Sequence, residues 1–86
     1  RLKHKRADMS INIHIAKVDQ VLFTGNSVSV TLPAIEGEVT ILPNHIPLVT
    51  PLKAGRITVR TQDGEQIFDI AGGILEVSKT GVTVLL

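Results

Sequence analysis

Ile57-Thr58-Val59-Arg60-Thr61-Gln62-Asp63-Gly64-Glu65-Gln66-Ile67-Phe68-Asp69-Ile70 reads as two strands around a turn. In Ile57-Thr58-Val59-Arg60 apolar and polar side chains alternate with a period of two, the repeat of a strand with one buried face. Asp63-Gly64 tolerates the positive φ of a tight turn, so it is expected to close a two-residue hairpin between 57–61 and 66–70.

The same period recurs outward in both directions. Ile11, Ile13 and Ile15 alternate with Asn12 and His14, and Val28, Val30 and Leu32 alternate with Ser29 and Thr31. Further along come Val39-Ile41, Leu75-Val77 against Glu76 and Ser78, and Val82-Val84 around Thr83. Lys79-Thr80-Gly81 predicts a second hairpin, while Gly25-Asn26 and Gly37 mark other turns and Gly72-Gly73 a bulge or close packing. Of 86 residues, 10 are isoleucine, 10 valine and 8 threonine. Such β-branched side chains lose χ1 freedom in helices and pack well on a pleated surface. No stretch carries an apolar stripe at helical spacing, so the chain reads as all-β: an antiparallel sandwich or barrel of seven to ten short strands by the counting of alternating segments.

With 43% hydrophobic and 20% charged residues the chain has the composition of one small globular domain. It contains no cysteine, which excludes disulfides, zinc–cysteine sites and thiol catalysis, and favours a reducing compartment. The net charge is +1, but Arg1, Lys3, Lys5 and Arg6 against Asp8 put +3 in the first eight residues and leave a mildly acidic body. Residues 1–8 are read as a non-native basic leader and 9–86 as a single domain. No apolar run approaches the ~18 residues of a membrane-spanning helix, so membrane association is expected only through another protein.

In Leu42-Pro43-Asn44-His45-Ile46-Pro47-Leu48-Val49-Thr50-Pro51 the prolines recur every fourth residue and remove ladder donors. This segment is expected to be stiff, extended and edge-like, with Ile46, Leu48 and Val49 serving either the core or a partner.

Catalytic chemistry is thin. The histidines are His4, His14 and His45. His14 lies on the polar parity of its strand, and His45 sits in the proline-rich segment, where it either faces a partner or bonds nearby backbone. Ser27, Ser29 and Ser78 stand in no strand–turn–helix context for a nucleophile. Glu36 and Glu38 flank Gly37 in a solvated acidic turn, and no glycine-rich phosphate cradle or metal-ligand spacing occurs. Phe23 and Phe68 are expected in the core rather than as base-stacking platforms. Lys53, Arg56 and Arg60 form a modest basic stretch, which leaves open a small β-barrel that binds nucleic acid or another polyanion.

Glu36-Gly37-Glu38-Val39-Thr40-Ile41-Leu42-Pro43-Asn44-His45-Ile46-Pro47-Leu48-Val49-Thr50, then Leu52-Lys53-Ala54-Gly55, then Ala71-Gly72-Gly73-Ile74-Leu75-Glu76-Val77, resembles the amino-terminal domain of the epsilon subunit of rotary ATP synthases. The resemblance covers nearly all of residues 10–86. It implies a flattened antiparallel β-sandwich of about ten strands in two sheets, the architecture that alternation independently suggests. It also implies a non-catalytic central-stalk rotor subunit without cofactor or metal, whose partners are the gamma subunit and the c-ring. The implied setting is a peripheral complex on the cytoplasmic face of a bacterial membrane, or its organellar counterpart. Residue by residue, Glu36, Gly37 and Glu38 match the loop that meets the ring, and Asn44, His45 and Ile46 match the segment that faces gamma. Most epsilon subunits continue into a helical hairpin after the sandwich. The family's inhibition of ATP hydrolysis, and the nucleotide binding of some members, belong to that hairpin and are not assigned to these residues.

Overall fold

In the computed structural model, which describes residues 10–44 and 46–86, every regular element is a strand. The strands are β1 (Ile11–Lys17), β2 (Gln20–Ser27), β3 (Ser29–Ala34), β4 (Gly37–Ile41), β5 (Leu48–Leu52), β6 (Gly55–Thr61), β7 (Gly64–Ile70), β8 (Gly73–Ser78) and β9 (Gly81–Leu85). Residues 1–9, including the expected leader, and His45 lie outside the described residues.

Burial follows the alternation in the sequence. Ile11, Ile13 and Ile15 of β1, Ile57 and Val59 of β6, Leu75 and Val77 of β8, and Val82 and Val84 of β9 are all buried. With Val30, Leu32, Ala34, Ile41 and Leu52 they form one core cluster. Fully burying an aliphatic side chain of this size stabilises by about 1.5–3 kcal/mol, so this shared core is what holds a nine-stranded domain with few polar cross-links. Phe23 and Phe68 lie at its margin rather than inside it: both are half-buried and meet edge to face, with ring centroids 6.3 Å apart and planes at 61°.

Hydrogen bonding runs in the order β2-β1-β9-β8-β5-β3-β6-β7, with β4 paired to the other side of β3. The nine described strands, where about ten in two sheets are expected, are hydrogen-bonded into one curled sheet. Its inward faces share a single core, as in a β-sandwich. The two halves join at one residue pair, Ala34↔Leu52. Backbone bonds from Ile35 N–H to Pro51 O (3.0 Å) and from Lys53 N–H to Pro33 O (2.9 Å) close that corner. On the other flank the chain crosses between the halves at Val28, whose N–H donates to Arg60 O at 2.7 Å.

Three expectations are corrected. Val28, assigned by parity to the core, is 38% exposed, while Ser27 and Ser29 beside it are buried. The crossing between β2 and β3 breaks the alternation there. The hairpin of β6 and β7 pairs Thr61 with Gly64, so its two-residue loop is Gln62-Asp63 and Gly64 already opens β7 at φ 142°. Finally, β1 and β9 run parallel, Ile13↔Val82 through Ala16↔Leu85, in an otherwise antiparallel sheet. Parallel neighbours need a long connection, and here the rest of the domain is that connection. The hairpin at Lys79-Thr80 forms as expected, with Ser78 paired to Gly81.

Gly73 meets the expectation of close packing. A Cβ there would stand 2.6 Å from Leu85 O, and its φ of +154° disfavours any side chain. Without a side chain at this position β8 can start hard against the end of β9.

Candidate functional site: two loops and two outer faces

Two-residue loops end the hairpins. Ala34 pairs with Gly37, which leaves Ile35-Glu36 as the tip between β3 and β4. Glu36 and Glu38 are exposed on either side of Gly37, whose φ of 141° and open surroundings suit a turn projecting into solvent. Glu38 lies opposite Pro33, which has no N–H to offer the partner strand. The loop therefore presents two carboxylates that make no ion pair among the described residues.

At the far end of β4 the chain passes through Leu42 and Pro43 to Asn44, a left-handed residue at φ 68°. Asparagine tolerates this region better than most side chains. Ile46 follows, 80% exposed, and then Val49 at 69% and Leu48 at 38%. The alternative left open for these three is resolved: they belong to the surface, and Leu52 is the residue of β5 that enters the core. Pro43 and Pro47 flank the segment and Pro51 pairs with Ile74, so β5 is held by β8 along one edge and by β3 only at its end. This is the edge-like geometry that the prolines predict.

The turn at Gly37 and the exit of the chain at Ile41 are thus separated by the length of β4. At 3.4 Å per residue that is about 14 Å. The strand between them is anchored by Ile41, which is buried in the core.

The sheet also presents two unlike outer faces. Across β2, β1, β9, β8 and β5, the register aligns Val21↔Ala16, Ala16↔Leu85, Leu85↔Ile74 and Ile74↔Pro51. Val21, Leu85 and Ile74 are 55%, 55% and 45% exposed. At about 4.8 Å per strand the row runs about 19 Å. A polar row lies beside it, Glu76, Thr83, His14 and Thr24, aligned by the same pairings. Sequence reading missed the apolar row. Apart from Ala16, which is buried, each member is one exposed apolar residue, and only register brings them into line.

The opposite face is polar. Thr40, Thr31, Thr58 and Ile67 align across β4, β3, β6 and β7, with Thr31 Oγ1 and Thr40 Oγ1 3.0 Å apart. Arg56 Nε donates to Asp69 Oδ1 at 3.2 Å, and Arg60 Nε to Glu65 Oε2 at 3.0 Å. The basic stretch expected at Lys53, Arg56 and Arg60 therefore does not form a free cationic patch, because two of its three charges are neutralised across the hairpin.

His14 is exposed in its polar row, and Ser27 Oγ is buried without a hydrogen-bond partner. Among the described residues no group of three or more histidine, aspartate or glutamate side chains could hold a metal ion, and no helix is long and apolar enough to cross a membrane. An open cleft of about 550 Å³ lies beside the β1–β2 turn, between Lys17, Asp19, Asp69, Gly72 and Leu86. It brings together two carboxylates and an ammonium but no nucleophile with a base.

Residues 10–86 match the family described as ATP synthase, Delta/Epsilon chain, beta-sandwich domain. Over 77 residues, 88% of the chain, it is 36% identical to the ATP synthase epsilon chain of Sinorhizobium fredii and 39% identical to that of Bordetella parapertussis, covering 58% and 55% of those proteins. The chain thus spans little more than half the length of the curated relatives it matches. Its fold is similar to a chain in the mitochondrial ATP synthase of Euglena gracilis, solved with F1 and the c-ring (TM-score 0.83, 22% identity, 90% of this chain and 50% of that one). A chain from the central stalk and c-ring of the Tetrahymena thermophila enzyme superposes with TM-score 0.73 at 13% identity, over 87% of this chain and 61% of the other.

Proposed function

Because the chain belongs to the family of β-sandwich domains of ATP synthase delta and epsilon chains, we propose that it works as a non-catalytic rotor element of the central stalk, held between the gamma subunit and the c-ring. The observation that carries this reading is the placement of two exposed loops at opposite ends of β4, a strand whose Ile41 is buried in the core. The acidic tip Glu36-Gly37-Glu38 faces the ring. Asn44, His45 and Ile46 face gamma, with Leu48 and Val49 extending that contact.

The physical demands of the role fit these parts. A coupling element must transmit load without yielding, and a close-packed interior has low compressibility. An interface that lasts through rotation needs an apolar centre with a polar rim. Ile46, Leu48 and Val49 supply the centre, and their stiff backbone limits the ordering cost of binding. The two carboxylates at the other loop are spaced to meet cationic or hydrogen-bond-donating groups. The work is mechanical, so no bond-breaking residue is called for. The setting is a peripheral complex on the cytoplasmic face of the membrane that holds the ring.

Calorimetric titration into purified gamma subunit at low and physiological salt tests the reading. Saturable one-to-one binding that persists at physiological salt, with a negative heat-capacity change from apolar burial, is expected. His45→Ala with Ile46→Ala weakens that binding and leaves the unfolding midpoint unchanged, whereas Glu36→Lys with Glu38→Lys impairs assembly on the ring and spares gamma. Absence of heat at both salts, or equal loss of both partners in both variants, refutes the assignment.

A further inference from the structure

We draw no further inference here: the strongest candidate, the outward apolar row of Val21, Leu85, Ile74 and Pro51 across β2, β9, β8 and β5, carries none because nothing among the described residues shows what covers it.

Discussion

Replacing Gly73 by alanine sets a methyl carbon 2.6 Å from Leu85 O, 2.9 Å from Leu86 Cδ2 and 3.3 Å from Leu86 Cα. Carbon and carbonyl oxygen rest at about 3.3 Å or more between strands, so the end of β9 must give by roughly 0.7 Å. Overpacking of this kind costs about 1–3 kcal/mol. A side chain at φ +154° adds backbone strain of about 1–3 kcal/mol, so the two costs together come to about 2–6 kcal/mol. A domain of this size has about 4–13 kcal/mol to lose, and each kcal/mol lowers Tm by about 4–8 °C.

Two other glycines separate the two costs. At Gly64, φ is +142° and nothing lies within 4 Å of the added carbon, so Gly64→Ala carries strain alone. At Gly81 the added carbon meets Asn12 O at 2.6 Å with no such φ, so Gly81→Ala carries contact alone. The chain has no tryptophan or tyrosine, which makes far-ultraviolet circular dichroism during urea or thermal unfolding the suitable probe. Gly73→Ala should lose more than either single-cost variant. If it loses no more than Gly64→Ala, the β8–β9 approach yields freely and the steric argument fails.

Ser27→Ala removes a buried hydroxyl that has no hydrogen-bond partner and should leave stability unchanged or raise it by about 1 kcal/mol; a loss above that amount in urea titration would show that the hydroxyl is satisfied. Ile13→Ala, at a side chain 0% exposed, should cost about 2–5 kcal/mol, while Val49→Ala at the surface should cost under about 0.5 kcal/mol, the pair being read by the same unfolding midpoint. Arg60→Ala should cost at most about 1 kcal/mol because its pair with Glu65 is largely exposed, and the difference from the parent should shrink in 1 M salt.

The strands that were legible in the sequence are those with one face buried and one wet. β1, β6, β8 and β9 show the two-residue period because only alternate positions meet the core. β3 shows the period in its residue types, Val30 and Leu32 against Ser29 and Thr31, but not in its burial: Ser29, Val30, Leu32, Pro33 and Ala34 are all buried, with β4 along one of its edges and β5 and β6 along the other. The bulge between Ile15 and Ala16, which brings both Leu22 and Phe23 against the core, leaves no local signature. The β1–β9 pairing joins residues nearly seventy apart in sequence, so no turn signal announces it. At the candidate site, the acidic tip and the proline-braced segment could be read from residue types whose backbone preferences are strong. The neutralisation of Arg56 and Arg60 could not, because it depends on which residues of β7 stand opposite them.

The parallel alignment of β1 with β9 has a mechanical consequence. Force drawing the start of β1 and the end of β9 in opposite directions acts along the strands, so it loads the pairings from Ile13↔Val82 to Ala16↔Leu85 together in shear. An antiparallel pair pulled from one end opens one bond at a time. Here the bond from Leu86 N–H to Ala16 O, at 2.9 Å, extends the shared load by one more position. The first and last strands thus form a lap joint, and the domain's own ends are fastened where tension would otherwise begin to peel it open.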